Sequence, residues 1–136
     1  MKIFVFGSEI VEKDKLAFKI ADAIIAMRDA EGAKNNIQFI KCTDPEEMLE
    51  LPKAELEGQD VAVLDAAKGI KDVQPLLIDD FQPKGIFTIH DFNLGLYLKL
   101  LQTTGEVRNI RIVGIPYDCK EAPEKIAKKV REILGI

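Results

Sequence analysis

Val61-Ala62-Val63-Leu64 is an unbroken apolar run that stops at a carboxylate, Asp65. A strand with one wet face carries a polar residue at every second position. This run carries none, so it reads as a strand covered on both sides. Such strands belong in the middle of parallel sheets with helices above and below. In open sheets of that class, ligands settle in the crevice at the carboxyl ends of the strands. Asp65 therefore stands where chemistry is expected.

The flanking chain fits that frame. Lys2-Ile3-Phe4-Val5-Phe6 is a predicted strand ended by Gly7-Ser8. After a polar loop, Asp14 opens a helix whose Leu16, Ala17, Ile20, Ile24 and Met27 share one face, with Gly32 as its stop. Ile37 to Ile40 is a second strand, and Asp44-Pro45-Glu46-Glu47 is a cap, a first-turn proline and first-turn acids for a short helix ending before Pro52. The order β-α-β-α-β predicts a parallel sheet. Within Val73 to Phe81 a short, antiparallel edge strand is expected, since Pro75 suits an edge. Gly85 to Ile89 is a further strand that leads to His90, the single histidine. Asp91 caps a helix with Leu94, Tyr97, Leu98 and Leu101 on its core face, and Gly105 stops it. Ile110 to Ile115 is the last strand. Pro123 starts a final helix with Ile126, Ala127, Val130, Ile133 and Leu134 on one face. The expected fold is one α/β domain over 1–136. It has three layers, α/β/α, with a mostly parallel central sheet of about five strands, helices on both faces and one antiparallel edge strand.

Composition narrows the function. The 136 residues carry a net charge of −4 with no arginine cluster or basic stripe, which argues against a nucleic-acid partner. No apolar run approaches the ~18 residues that span a bilayer, so no membrane insertion is expected. Met1-Lys2 runs straight into strand pattern without a leader. Cys42 and Cys119 form neither a CxxC pair nor a disulfide framework, which predicts buried structural thiols in a reduced, cytoplasmic setting. The charges from Lys120 to Arg131 read as a solvated helix face.

Asp14, Asp65 and His90 each follow an apolar strand, and trailing residues of parallel strands gather along one rim. Two carboxylates and an imidazole suit a borderline divalent ion with positions left open for a substrate. Each residue also has a purely structural reading. Asp14 is a helix N-cap, Asp65 an acceptor for loop amides, and His90 a packed, hydrogen-bonded imidazole. Spacing alone does not choose between the two sets. Other chemistries drop out: GxSxG, HExxH, GxGxxG and GxxxxGK[ST] are all absent.

Taken together, these positions and their surroundings resemble the hydrogenase maturation endopeptidases over nearly the whole chain. That family opens with a strand, a Gly-Asn turn, a loop and an acidic pair at a helix start. Here the stretch reads Phe4-Val5-Phe6-Gly7-Ser8, with Asp14 at the second acid. Val63-Leu64-Asp65-Ala66 matches the family's acid closing a buried strand. Thr88-Ile89-His90-Asp91-Phe92-Asn93-Leu94 matches its histidine ahead of a leucine-rich helix, and Ile112 to Pro116 its last strand. The departures are Ser8 for the turn's Asn, Lys13 for the first acid and Lys15 for the glycine after the pair.

The resemblance implies an endopeptidase that removes the C-terminal extension of a nickel-iron (NiFe) hydrogenase large-subunit precursor. The nickel arrives with the substrate rather than residing in the protease, and Asp14, Asp65 and His90 are its ligands and the catalytic set. Two other readings share the fold. One is a non-proteolytic nickel- or partner-binding protein, suggested by Lys13 and Lys15. The other is a flavodoxin-like small-molecule-binding domain.

Overall fold

The central ladder joins β3 (Asp60–Lys68) to β6 (Asn109–Pro116) in parallel over the full run from Asp60 beside Asn109 to Ala67 beside Pro116. We describe the molecule from a computed structural model covering residues 1–8, 10, 15–34, 36–48, 50–78, 87–88 and 91–136. On the other edge of β3 lies β1 (Lys2–Phe6), also parallel, with β2 (Gln38–Cys42) parallel beyond it. A short β4 (Gln74–Leu76) closes the far edge antiparallel to β6, and Pro75 sits in it. The sheet order is β2-β1-β3-β6-β4. The expected α/β class, parallel core and antiparallel edge strand are all present.

The helices are α1 (Lys15–Ala30), α2 (Lys53–Leu56), α3 (Asp91–Thr103) and α4 (Pro123–Leu134). Strand alternation sorts their partners. Ile3, Val5, Ala62, Leu64, Val113 and Ile115 point to one face, where they pack with Ile20 and Ile24 of α1 and Ile126 and Val130 of α4. Phe4, Phe6, Val61, Val63, Ala67 and Ile112 point to the other, under Met48, Leu56 and Leu98. Burying each such aliphatic or aromatic side chain contributes roughly 1.5–3 kcal/mol, so these two layers dominate the stability. The α3 stripe is core at Leu98 and Leu101. Gly32 and Gly105, just past α1 and α3, have φ of +65° and +69°, the left-handed turn at which a glycine ends a helix.

Four expectations change. β3 does not stop at Asp65 but runs to Lys68, because β6 stays alongside and the small Ala66 and Ala67 fit between the layers. The helix from Asp44 is a single 3-10 turn, Pro45–Met48. Its cap is as expected, since Asp44 Oδ1 accepts from Glu46 N at 2.9 Å, but the helix restarts as α2 after Pro52. β5 (Phe87–Thr88) is antiparallel to β3 rather than another parallel strand. The α4 charges are not simply solvated: Arg131 grips Glu31 through two 2.8 Å bonds, and Lys129 reaches Asp72 at 2.9 Å and Glu121 at 3.1 Å. Among the described residues no helix is long and apolar enough to cross a membrane.

Candidate functional site

Asp65 is the chemically distinctive residue of the sheet. It is 1% exposed in the central strand. Alternation with Val61, Val63 and Ala67 puts it on the α3 side of the sheet. Its Oδ1 accepts from Ala66 N at 2.9 Å. That acceptor role resembles the structural reading, but the amide is the next one along a strand, not a loop amide. Beside it in the ladder is Gly114. A methyl on Gly114 would lie 2.7 Å from Leu76 Cδ1 and 3.0 Å from Ile70 Cδ1, so the glycine admits the apolar cover of β4 up to the backbone next to the carboxylate.

Asp14 and His90 lie outside the described residues. Among the described residues no three His, Cys, Asp or Glu side chains come together as a metal-binding group. What the structure adds near His90 is the path of β5. Phe87 pairs with Lys68 and Thr88 with Ala67, so this strand heads back along β3 in the direction of Asp65. The rule that parallel strands bring trailing residues to one rim does not apply to an antiparallel strand.

Among the described residues, the rim at the ends of β1 and β2 is fastened by hydrogen bonds. Gly7 N donates to Cys42 O at 3.0 Å, joining the ends of β1 and β2. Glu47 Oε1 then accepts from Thr43 N and Thr43 Oγ1, both at 2.9 Å, and from Asp44 N at 3.1 Å. Burial pushes the Glu47 carboxyl up, but these hydrogen bonds outweigh it and hold the group below its ordinary value. Tyr97 of α3 reaches Glu46 Oε1 at 3.4 Å, and burial followed by the Glu46 charge raises its phenol. Cys42 is buried as expected. Desolvation, with a smaller contribution from the Glu47 charge, pushes its thiol up to about 12. Cys119 is half-buried.

Beyond β3 and β6 the rim opens. Tyr117 N donates to Ala67 O at 2.9 Å, which holds the chain together one step past the ladder. There the segments after the two strands part around a cleft of about 750 Å³, with Lys68, Ile70 and Lys71 on one wall and Tyr117, Cys119 and Lys120 on the other. None of these residues stands out in the sequence as a site. Their only signal was position, just past two buried strands.

No protein-family profile matches the chain, and no curated protein matches its sequence. Solved structures do match it in three dimensions. The crystal structure of a hydrogenase 3 maturation protease superposes with a TM-score of 0.67 at 17% identity, covering 96% of this chain and 86% of that one. The solution structure of the endopeptidase HycI from Escherichia coli gives 0.65 at 18% identity, covering 97% and 87%. The chain has the fold of these maturation proteases.

Proposed function

We propose that this protein is a maturation endopeptidase that removes the C-terminal extension of a nickel-iron hydrogenase large-subunit precursor once nickel has been inserted. The observation that carries the reading is the fold likeness to a hydrogenase 3 maturation protease across 96% of the chain. Two features of the chain support it further. A carboxylate, Asp65, is buried in the central strand at the place the family resemblance gives a metal ligand. And β5, the strand before His90, turns back along β3 in the direction of that carboxylate.

In this reading the nickel belongs to the substrate, and Asp14, Asp65 and His90 take hold of it. A buried carboxylate such as Asp65 favours a cation as a ligand partner. The same placement makes it a poor partner for a precursor without metal, which links cleavage to nickel insertion. Bound nickel supplies polarisation or positioning of the scissile carbonyl. One acid of the set can activate water in the manner of a general base.

The test is incubation of the protein with nickel-loaded precursor, followed by mass analysis of the precursor's C-terminus. A shortened product is expected with the native chain and none with Asp65→Asn. Intact precursor, under conditions where a known maturation protease cuts it, would sink the reading. Nickel-dependent complex formation without cleavage would favour the binding-protein alternative.

A further inference from the structure

We infer that the cleft past β3 and β6 is a docking site for an acidic peptide segment of the protein substrate. The inference takes the identity of that partner from the peptidase reading but takes the chemistry of the cleft from its own residues. The cleft measures about 750 Å³. A second hollow of about 470 Å³ shares Tyr117, Asp118, Cys119 and Lys120 with it and extends to Leu16 and Lys19 of α1. Together they form a groove along the rim where α/β sheets of this class bind ligands.

Its charge is the second observation. The protein is acidic overall, at −4, yet Lys68, Lys71 and Lys120 all line this one cleft. Among the described residues the acids of the same cleft are Asp118 and Glu121. Glu121 is engaged by Lys129 at 3.1 Å, and Lys129 also holds Asp72 at 2.9 Å, so that carboxylate is already answered from outside the cleft. Among the described residues Lys71 and Lys120 have no carboxylate partner. Lys68 Nζ lies over the Tyr117 ring at 4.8 Å from its centroid, which orients the ammonium without neutralising it. Cations gathered in one concave cleft concentrate their field there and draw in carboxylates. Ile70 and Pro116 add apolar wall for the stems of the bound side chains.

The test uses the full chain and a fluorescein-labelled dodecapeptide with glutamates at alternate positions, set against the same peptide with glutamines. Fluorescence anisotropy is expected to show the glutamate peptide binding at least about tenfold more tightly, with affinity falling as salt shortens the screening length below roughly 10 Å. Lys71→Glu/Lys120→Glu should cost about tenfold or more, and Lys71→Gln/Lys120→Gln a smaller loss in the same direction. Both pairs of substitutions are on exposed side chains, and circular dichroism checks that the fold is kept. Equal binding of the two peptides, unchanged binding by both variants, or citrate binding as tightly as the peptide would each overturn the inference. Asp65→Asn, assayed in parallel, separates the two readings. If it and the native chain bind the glutamate peptide while nickel-loaded precursor stays uncut, the peptidase reading fails and the docking cleft stands. If precursor is cut equally well by the native chain and Lys71→Glu/Lys120→Glu, with no peptide preference, the cleft fails and the peptidase stands.

Discussion

Asp65 and Gly114 are direct neighbours across the β3–β6 ladder, and the side chain missing from one makes room for the apolar wall beside the other. Leu76 and Ile70 lean over Gly114 so closely that a methyl there would stand 2.7 Å and 3.0 Å from their tips. Asp65, itself 1% exposed, stands beside that cover.

Gly114→Ala is therefore a packing probe of the site. The Leu76 tip must swing away, and Leu76 is buried, at 4% exposed, so the swing disturbs its neighbours. Overpacking of this kind costs about 1–3 kcal/mol, to be read as a lower midpoint in urea. The double variant Gly114→Ala/Leu76→Ala should show non-additivity, because the new methyl then occupies space that the leucine has vacated. Additive losses would mean that the two residues do not compete for this space.

Asp65 separates stability from function. A carboxylate at 1% exposure is costly to desolvate, and asparagine keeps a carbonyl acceptor for Ala66 N while removing the charge. Asp65→Asn should melt no lower than the native chain, and precursor processing should fall below detection. This is the pattern of a residue retained for chemistry against its own stability. A markedly lower melting temperature would instead assign Asp65 to the fold.

Cys42 supplies a pH-dependent marker for the closed rim. Its folded thiol lies up at about 12, because burial disfavours the thiolate, against roughly 8.5 in an unfolded chain. A folded value above the unfolded one means that the folded state holds the proton longer. This contribution to stability is complete below the unfolded value and is lost as pH rises through the window to about 12. Native protein at mildly alkaline pH should react with a thiol reagent first at the half-buried Cys119, and at Cys42 only on the timescale of opening. Peptide mapping of the labelled cysteines checks the order. Cys42→Ser should destabilise, since it puts a hydroxyl into the same apolar pocket.

Local signals were strong enough to read most of the fold. The buried run of β3, the edge placement of Pro75 and the Asp44 cap with its proline all rest on neighbouring residues alone. What escaped the sequence depends on partners far away in the chain. The extension of β3 past Asp65 exists because β6 runs beside it, and the direction of Phe87-Thr88 is set by pairing with Ala67 and Lys68. Arg131 meets Glu31 across 100 positions, and Lys129 meets Asp72 across 57, so helical periodicity could not tell a solvated charge from a tether. At the site, Asp65 was legible because a carboxylate after an apolar run is chemically conspicuous. Lys71 and Lys120 were not, because exposed lysines in loops gain meaning only when two loops face each other across a cleft.

The opposite end of the sheet offers an acid-sensitivity test that leaves the site untouched. Arg108 clamps Asp60 with Nε to Oδ1 at 2.9 Å and a guanidinium nitrogen to Oδ2 at 2.6 Å, and Asn109 Nδ2 adds a 2.9 Å bond to Oδ1. The hydrogen bonds from Arg108, then Asn109, hold the Asp60 carboxyl well below its ordinary value. This joins the first residues of β3 and β6 at the start of their ladder. A folded value below the unfolded one contributes stability above the unfolded carboxylate value of about 3.9, and the contribution disappears as pH falls through the folded value. The pair is exposed, so the effect is modest and shrinks with salt. Urea midpoints of the native chain and Asp60→Asn should differ at neutral pH, with the native chain higher, and should approach each other as the solution is acidified below that value. Parallel curves down to the lowest pH would show that Asp60 contributes by shape rather than by charge. Processing of precursor by Asp60→Asn at neutral pH is expected to match the native chain, since the clamp lies at the end of β3 away from Asp65 and the cleft.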